Sequence, residues 1–141
     1  MPRALVVEHD PMNVAVITKT LQRIGRFEVL TSNDPAEVLR LASDGKVDVV
    51  LMDVALGGPE YRGRPMDGTA ITRLLKSDPQ TRSVPVLLVT AKAMRGDAER
   101  LLSESGADGY VSKPIANPRD LVDRIYAIIT AKRQEPADIG G

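Results

Sequence analysis

The chain of 141 residues contains no cysteine. That excludes disulfides and thiolate metal sites, and makes a reducing cytoplasm the simplest location to expect. Histidine is almost as scarce: His9 is the only one, so a multi-histidine metal cage is excluded and any imidazole chemistry must run through that residue. Net charge is lacking too. Nineteen basic residues balance 19 acidic ones with no basic block, which argues against a standing nucleic-acid surface. No apolar run approaches the about 18 residues of a membrane-spanning helix, and the start Met1-Pro2-Arg3-Ala4 lacks the apolar segment of a signal peptide, so no membrane attachment is expected. No glycine-rich phosphate loop follows the first apolar run. Glu8-His9-Asp10-Pro11 stands there instead and would repel an anionic cofactor, which counts against a flavodoxin-like cofactor enzyme.

What is present is a set of short apolar runs that alternate with helical patterns. Val47 to Asp53 reads Val-Asp-Val-Val-Leu-Met-Asp, and its four successive apolar residues suit a central parallel strand buried on both faces. Ala4 to Glu8, Phe27 to Thr31, Val84 to Val89 and Asp108 to Ser112 supply four more strands. Between them, Asp10-Pro11 caps a helix with Val14, Ile17, Leu21 and Ile24 on one face, stopping at Gly25. Asp34-Pro35-Ala36-Glu37 reads as a capping box that opens a second helix. Further helices are expected over Thr69 to Ser77, Ala93 to Ser105 and about Asn117 to Lys132. Ala55 to Gly68 is a long connection, too rich in glycine and proline for regular structure; it carries Tyr61, Arg62 and Arg64. One domain, 1–132, with a frayed tail, 133–141, is the expected organisation.

Alternation of strand and helix implies an α/β fold, a doubly wound five-stranded parallel sheet with helices on both faces and right-handed crossovers. Five strands fit the flavodoxin-like order 2-1-3-4-5. In such sheets ligands gather beyond the carboxyl ends of the strands, and Glu8, His9, Asp53, Thr90 and Lys113 all fall there. Two acids, a hydroxyl and an ammonium around one crevice are what reversible phosphorylation of a carboxylate requires: Asp53 as nucleophile, a hard cation on the carboxylates, Lys113 and Thr90 on phosphoryl oxygens.

These residues resemble the receiver domain of two-component response regulators. The match runs from about Arg3 to Ala131 through Val6-Val7-Glu8, Leu51-Met52-Asp53, Val89-Thr90-Ala91 and Gly106-Ala107-Asp108-Gly109-Tyr110-Val111-Ser112-Lys113-Pro114-Ile115, and Ala91 to Asp97 looks like stand-alone receivers of the cell-cycle and phosphorelay type. The resemblance implies a phosphoacceptor, not an enzyme with a free substrate: Asp53 receives the phosphoryl group, Glu8 and Asp53 with the Ala55 carbonyl hold Mg²⁺, Lys113 pairs with the phosphate, Thr90 and Tyr110 switch, and the Lys113-Pro114 bond is cis. It also implies a sensor histidine kinase or histidine phosphotransfer protein as donor, and output through a protein partner, with the same faces suited to a homodimer. Two departures stand out. His9 occupies the place of the family's second metal-ligating acid, so weaker Mg²⁺ binding, a preference for Mn²⁺, or a phosphate-independent pseudo-receiver is the corresponding expectation. The loop from Gly57 to Gly68 is longer than the family's usual turn.

Overall fold

The computed structural model of the protein describes residues 2–55, 60–61, 63–91, 95–113, 115 and 117–134. β1 (Arg3–Val7), β2 (Glu28–Ser32), β3 (Val49–Asp53), β6 (Val86–Thr90) and β7 (Gly109–Ser112) form one sheet in the order β2-β1-β3-β6-β7. All four pairings are parallel, so the sheet is the expected 2-1-3-4-5 arrangement with a small hairpin inserted in the numbering. α1 (Pro11–Arg23), α2 (Pro35–Ser43), α3 (Gly68–Ser77), α4 (Arg95–Ser105) and α5 (Pro118–Gln134) fill the crossovers.

The continuous apolar runs are explained by two cores. Because side chains alternate along a strand, Ala4, Val6, Val49, Leu51, Leu87 and Val89 meet Ile17 and Leu21 of α1 and Leu121, Ile125 and Ile129 of α5. Leu5, Val7, Val50, Met52, Val86 and Leu88 meet Val38 of α2 and Ile71 and Leu75 of α3 on the other face. Each strand residue therefore has a buried face to serve, and none in β3 or β6 is free to be polar until the strand ends at Asp53 and Thr90.

Helix starts follow their caps. The side chains of Asp10 and Asp34 accept from Met12 N and Ala36 N, with proline in the first turn of each helix. The capping box at Asp34 is only half made: the Asp34 N–H donates to Ser32 Oγ, and Glu37 pairs instead with Arg40. The last helix reaches Gln134, two residues beyond the boundary expected at Lys132, and the tail 135–141 lies outside the described residues. The connection after β3 also departs from expectation. It contains a two-stranded antiparallel ribbon, β4 (Glu60–Tyr61) and β5 (Arg64–Pro65), turned at Gly63 with φ of 78°, a conformation open to glycine. Arg62 lies outside the described residues, as do Lys92 to Met94.

At the amino end of the sheet, Asp108 fastens three elements. Its carboxylate accepts from Val86 N at 2.8 Å and pairs with Lys76 of α3 at 2.8 Å and Lys132 of α5 at 3.1 Å. Asp108→Ala removes the carboxylate acceptor of a part-buried N–H and the shared carboxylate partner of two ammonium groups. It is expected to lower the unfolding free energy by about 1–3 kcal/mol, read by urea denaturation, while leaving chemistry at the opposite end of the sheet unchanged.

Candidate functional site

β1 ends at Val7 and β3 at Asp53, and their register pairs Val7 with Met52, so Glu8 and Asp53 leave the sheet side by side. Pleat parity turns the Asp53 side chain to the same face as Val49 and Leu51. β6 extends one residue further, with Asp53 opposite Val89, which sets buried Thr90 on the adjoining rim. β7 pairs Ser112 with Thr90, and the Lys113 N–H donates to the Thr90 carbonyl at 2.9 Å, so the lysine starts back toward the centre of the sheet.

Both carboxylates are buried, Asp53 at 2% exposure and Glu8 at 5%. Lys113 reconciles them: its Nζ lies 3.1 Å from Glu8 Oε2 and 3.2 Å from Asp53 Oδ1. Burial on its own would push the ammonium's pKa down, but the hydrogen bonds to Glu8 and Asp53 outweigh it and raise the pKa above its ordinary 10.5. A raised ammonium contributes stability that is fully present below the unfolded pKa and lost only as pH rises through the folded one, so the bridge is intact at neutral pH. The two carboxylates have further partners. Asp53 Oδ1 also accepts from the Ala55 N–H at 3.2 Å, and Glu8 Oε1 accepts from Asp10 N at 3.3 Å and Asn13 Nδ2 at 3.4 Å.

His9 is drawn into this cluster. Its ring is half exposed, yet Nδ1 sits 3.2 Å from Asp53 Oδ2 and 3.9 Å from Glu8 Oε1. Asp10 takes no part as a ligand, being spent on the α1 cap. Tyr110 is half-buried on β7 against the core that contains Leu88, away from the carboxylates. Pro114 lies outside the described residues, so the geometry of its peptide bond is not described.

Among the described residues, Glu8, His9 and Asp53 each place one ligand atom within 4.8 Å of the others'. The two carboxylates fit a hard divalent cation. The imidazole nitrogen does not fit Mg²⁺, which demands oxygen and near-ideal octahedral geometry.

The family model for the response regulator receiver domain matches residues 4–126. This chain belongs to the receiver family. The receiver is 36% identical over 120 residues to the polar-differentiation response regulator DivK of Brucella anthropi, covering 84% of this chain and 90% of that one. The DivK of Brucella ovis is 36% identical over 115 residues, covering 82% and 86%. Among solved structures, the receiver domain of a sensor histidine kinase from Pseudomonas aeruginosa, which has a magnesium ion coordinated in its active-site cleft, superposes with a TM-score of 0.76 at 29% identity, over 92% of this chain and 98% of that one. A CheY-like receiver from Methanospirillum hungatei has the same fold, with a TM-score of 0.77 at 24% identity, over 96% and 99%. No helix among the described residues is long and apolar enough to cross a membrane.

Two residues of this receiver's site escape a reading of the sequence. Asn13 reaches Glu8 only because α1 begins where it does. Gly68 opens α3 directly beneath Asp53: its N–H donates to Val54 O at 2.9 Å, and a β-carbon there would overlap the Asp53 carbonyl oxygen. A glycine directly after a helix-capping aspartate, Asp67, is the one available signal. Gly68→Ala is therefore expected to cost at least about 1–3 kcal/mol of stability and to slow modification of Asp53 by displacing its backbone, checked by urea denaturation together with phosphodonor kinetics. Lys113→Met leaves two buried carboxylates facing each other. Its stability should fall by about 1–3 kcal/mol at pH 7, measured by urea denaturation.

Proposed function

We propose that this receiver accepts a phosphoryl group on Asp53 from a phosphohistidine of a sensor histidine kinase or histidine phosphotransfer protein, and signals through a protein partner in the cytoplasm. The observation that carries this reading is the buried Asp53 carboxylate at the end of the central strand, joined to Glu8 through the Lys113 ammonium. An Asp53 oxygen attacks phosphorus, the bond from phosphorus to the donor's imidazole nitrogen breaks, and its electron pair returns to that ring. Lys113 then exchanges a carboxylate partner for a phosphoryl oxygen, which keeps its ammonium paired throughout. Thr90 supplies a hydroxyl from the neighbouring strand. Such chemistry is mostly positioning and charge neutralisation, so the receiver acts as a phosphoacceptor and does not turn over a free substrate.

A divalent cation on Glu8 and Asp53, with the Ala55 carbonyl as the remaining protein ligand, supplies charge neutralisation for the incoming phosphate when bound. Mg²⁺ is the ion the carboxylates suit. With nitrogen where the family has oxygen it is held weakly, and Mn²⁺ is the alternative.

The donor's approach is supported by α1. Besides its buried stripe, this helix shows solvent a second one: Met12 at 77% exposure and Val16 at 56%, with Ala15 and Lys19 on the same side. An apolar strip that starts three residues from His9 suits the apolar face of a helical donor that must bring its histidine to Asp53. Signal output follows as a population shift, in which Thr90 moves toward the phosphate and the Tyr110 ring takes the space released. Differential stabilisation on the order of 5 kcal/mol is needed to move such a switch from mostly off to mostly on.

Incubation with a small phosphodonor and a divalent cation is expected to add the mass of one phosphoryl group to the protein and none to Asp53→Ala. The His9 contact on Asp53 Oδ2 favours one competing reading, a pseudo-receiver that works by phosphate-independent contact. The absence of any Asp53-dependent mass gain with either Mg²⁺ or Mn²⁺ would establish that reading instead.

A further inference from the structure

We infer that His9 is a metal ligand and the specificity-determining residue of this site, which it converts from a Mg²⁺ site into one for a d-block dication of the Mn²⁺, Co²⁺ and Zn²⁺ class. The inference rests on the reading of Glu8 and Asp53 as the metal-binding carboxylates of a receiver.

The geometry is that of a one-nitrogen, two-carboxylate triad. Lys113 takes Glu8 Oε2 and Asp53 Oδ1, which leaves Oε1 and Oδ2 as the second oxygens of the two carboxylates. These are the two oxygens that His9 Nδ1 approaches, at 3.9 and 3.2 Å. With metal–ligand bonds of about 2.1 Å, adjacent ligands of an octahedron sit about 3.0 Å apart and those of a tetrahedron about 3.4 Å. The His9–Asp53 edge already lies in that range, the His9–Glu8 edge exceeds it by about 0.5 Å, and the three ligand atoms lie within 4.8 Å of one another, so the two carboxylates close up around an ion. Neither oxygen is strongly engaged elsewhere, since the Asp10 and Asn13 donors reach Glu8 Oε1 only at 3.3 and 3.4 Å. His9 itself is short-tethered, between the last residue of β1 and the Asp10 cap of α1, so its ring stays over Asp53. Its 48% side-chain exposure leaves a route for an ion to enter.

The chemistry decides which ion. Replacing a carboxylate by a neutral imidazole removes one negative charge, which weakens the hold on every hard dication. The nitrogen repays that loss only to ions that bond well to it, and the preference rises from Mn²⁺ through Co²⁺ and Ni²⁺. Mg²⁺ gains nothing from nitrogen and keeps its waters. Occupancy of the phosphoacceptor site then follows the supply of a d-block ion and not that of Mg²⁺.

The test uses the full chain without phosphodonor. Co²⁺, Mn²⁺ and Mg²⁺ are titrated separately into wild type, His9→Asp and His9→Asn, with visible ligand-field bands reporting Co²⁺, the electron paramagnetic resonance of free Mn²⁺ reporting Mn²⁺, and competition against Mn²⁺ reporting Mg²⁺. The preference for Mn²⁺ over Mg²⁺ should fall about tenfold or more in His9→Asp, and the Co²⁺ bands should shift. His9 is the only histidine, so in untagged wild type one pair of imidazole ring-proton resonances must shift on Zn²⁺ binding and broaden with Co²⁺. That readout needs no variant to fold. Equal Mn²⁺ to Mg²⁺ preference in wild type and His9→Asp, or an imidazole resonance untouched by bound metal, would overturn the inference. Phosphorylation is scored separately on Asp53, so a protein that binds Co²⁺ through His9 but gains no phosphate refutes the phosphoacceptor reading alone.

Discussion

Two carboxylates, buried side by side at the ends of neighbouring strands, repel each other, and in this receiver the Lys113 ammonium lies between them and pairs with both. The three groups come from three different strand ends, with up to 105 residues of sequence separating one contact pair. Only a parallel sheet with fixed register brings them together, because each strand delivers its last residue to the same edge. The pairing also supplies what phosphorylation needs. An ammonium kept out of water and already paired with carboxylates can exchange one anionic partner for another with little reorganisation.

The rest of the molecule keeps that edge in place. Two apolar layers, one under α1 and α5 and the other under α2 and α3, hold the central strands from both faces, so the strand ends cannot drift independently. Local contacts add precision: Gly68 lets the start of α3 press against the Asp53 backbone, and the Thr90 carbonyl holds the Lys113 N–H. Asp108 does the corresponding work at the far end, tying β6 to α3 and α5. Function collects at one rim of a scaffold whose other rim is devoted to stability.

His9 sets a ring nitrogen beside the two carboxylates of this receiver. The relatives show the frame, and a neighbour at 29% identity has magnesium in its cleft. The imidazole on Asp53 gives this chain a group of one nitrogen and two carboxylates at the rim of the sheet. A change of one residue type, with backbone and charge partners retained, is the cheapest way to alter which ion a site prefers.

Much of this was written in the residue pattern. Unbroken apolar runs told of a sheet buried on both faces, and caps at Asp10 and Asp34 marked where helices begin, because these signals depend on neighbours in the chain. The convergence of Glu8, Asp53 and Lys113 was legible too, since parallel topology sends every strand end to one edge. Other features were not. The ribbon inside the Gly-rich connection, the diversion of the Asp34 N–H to Ser32, the clasp of Asn13 on Glu8 and the nearness of Gly68 to Asp53 all turn on distances between parts of the chain that no local pattern encodes. His9 shows the division most clearly. Sequence determined that an imidazole directly follows Glu8, but only the folded chain, by closing the tether between β1 and α1 over the end of β3, decided that the ring rests on Asp53.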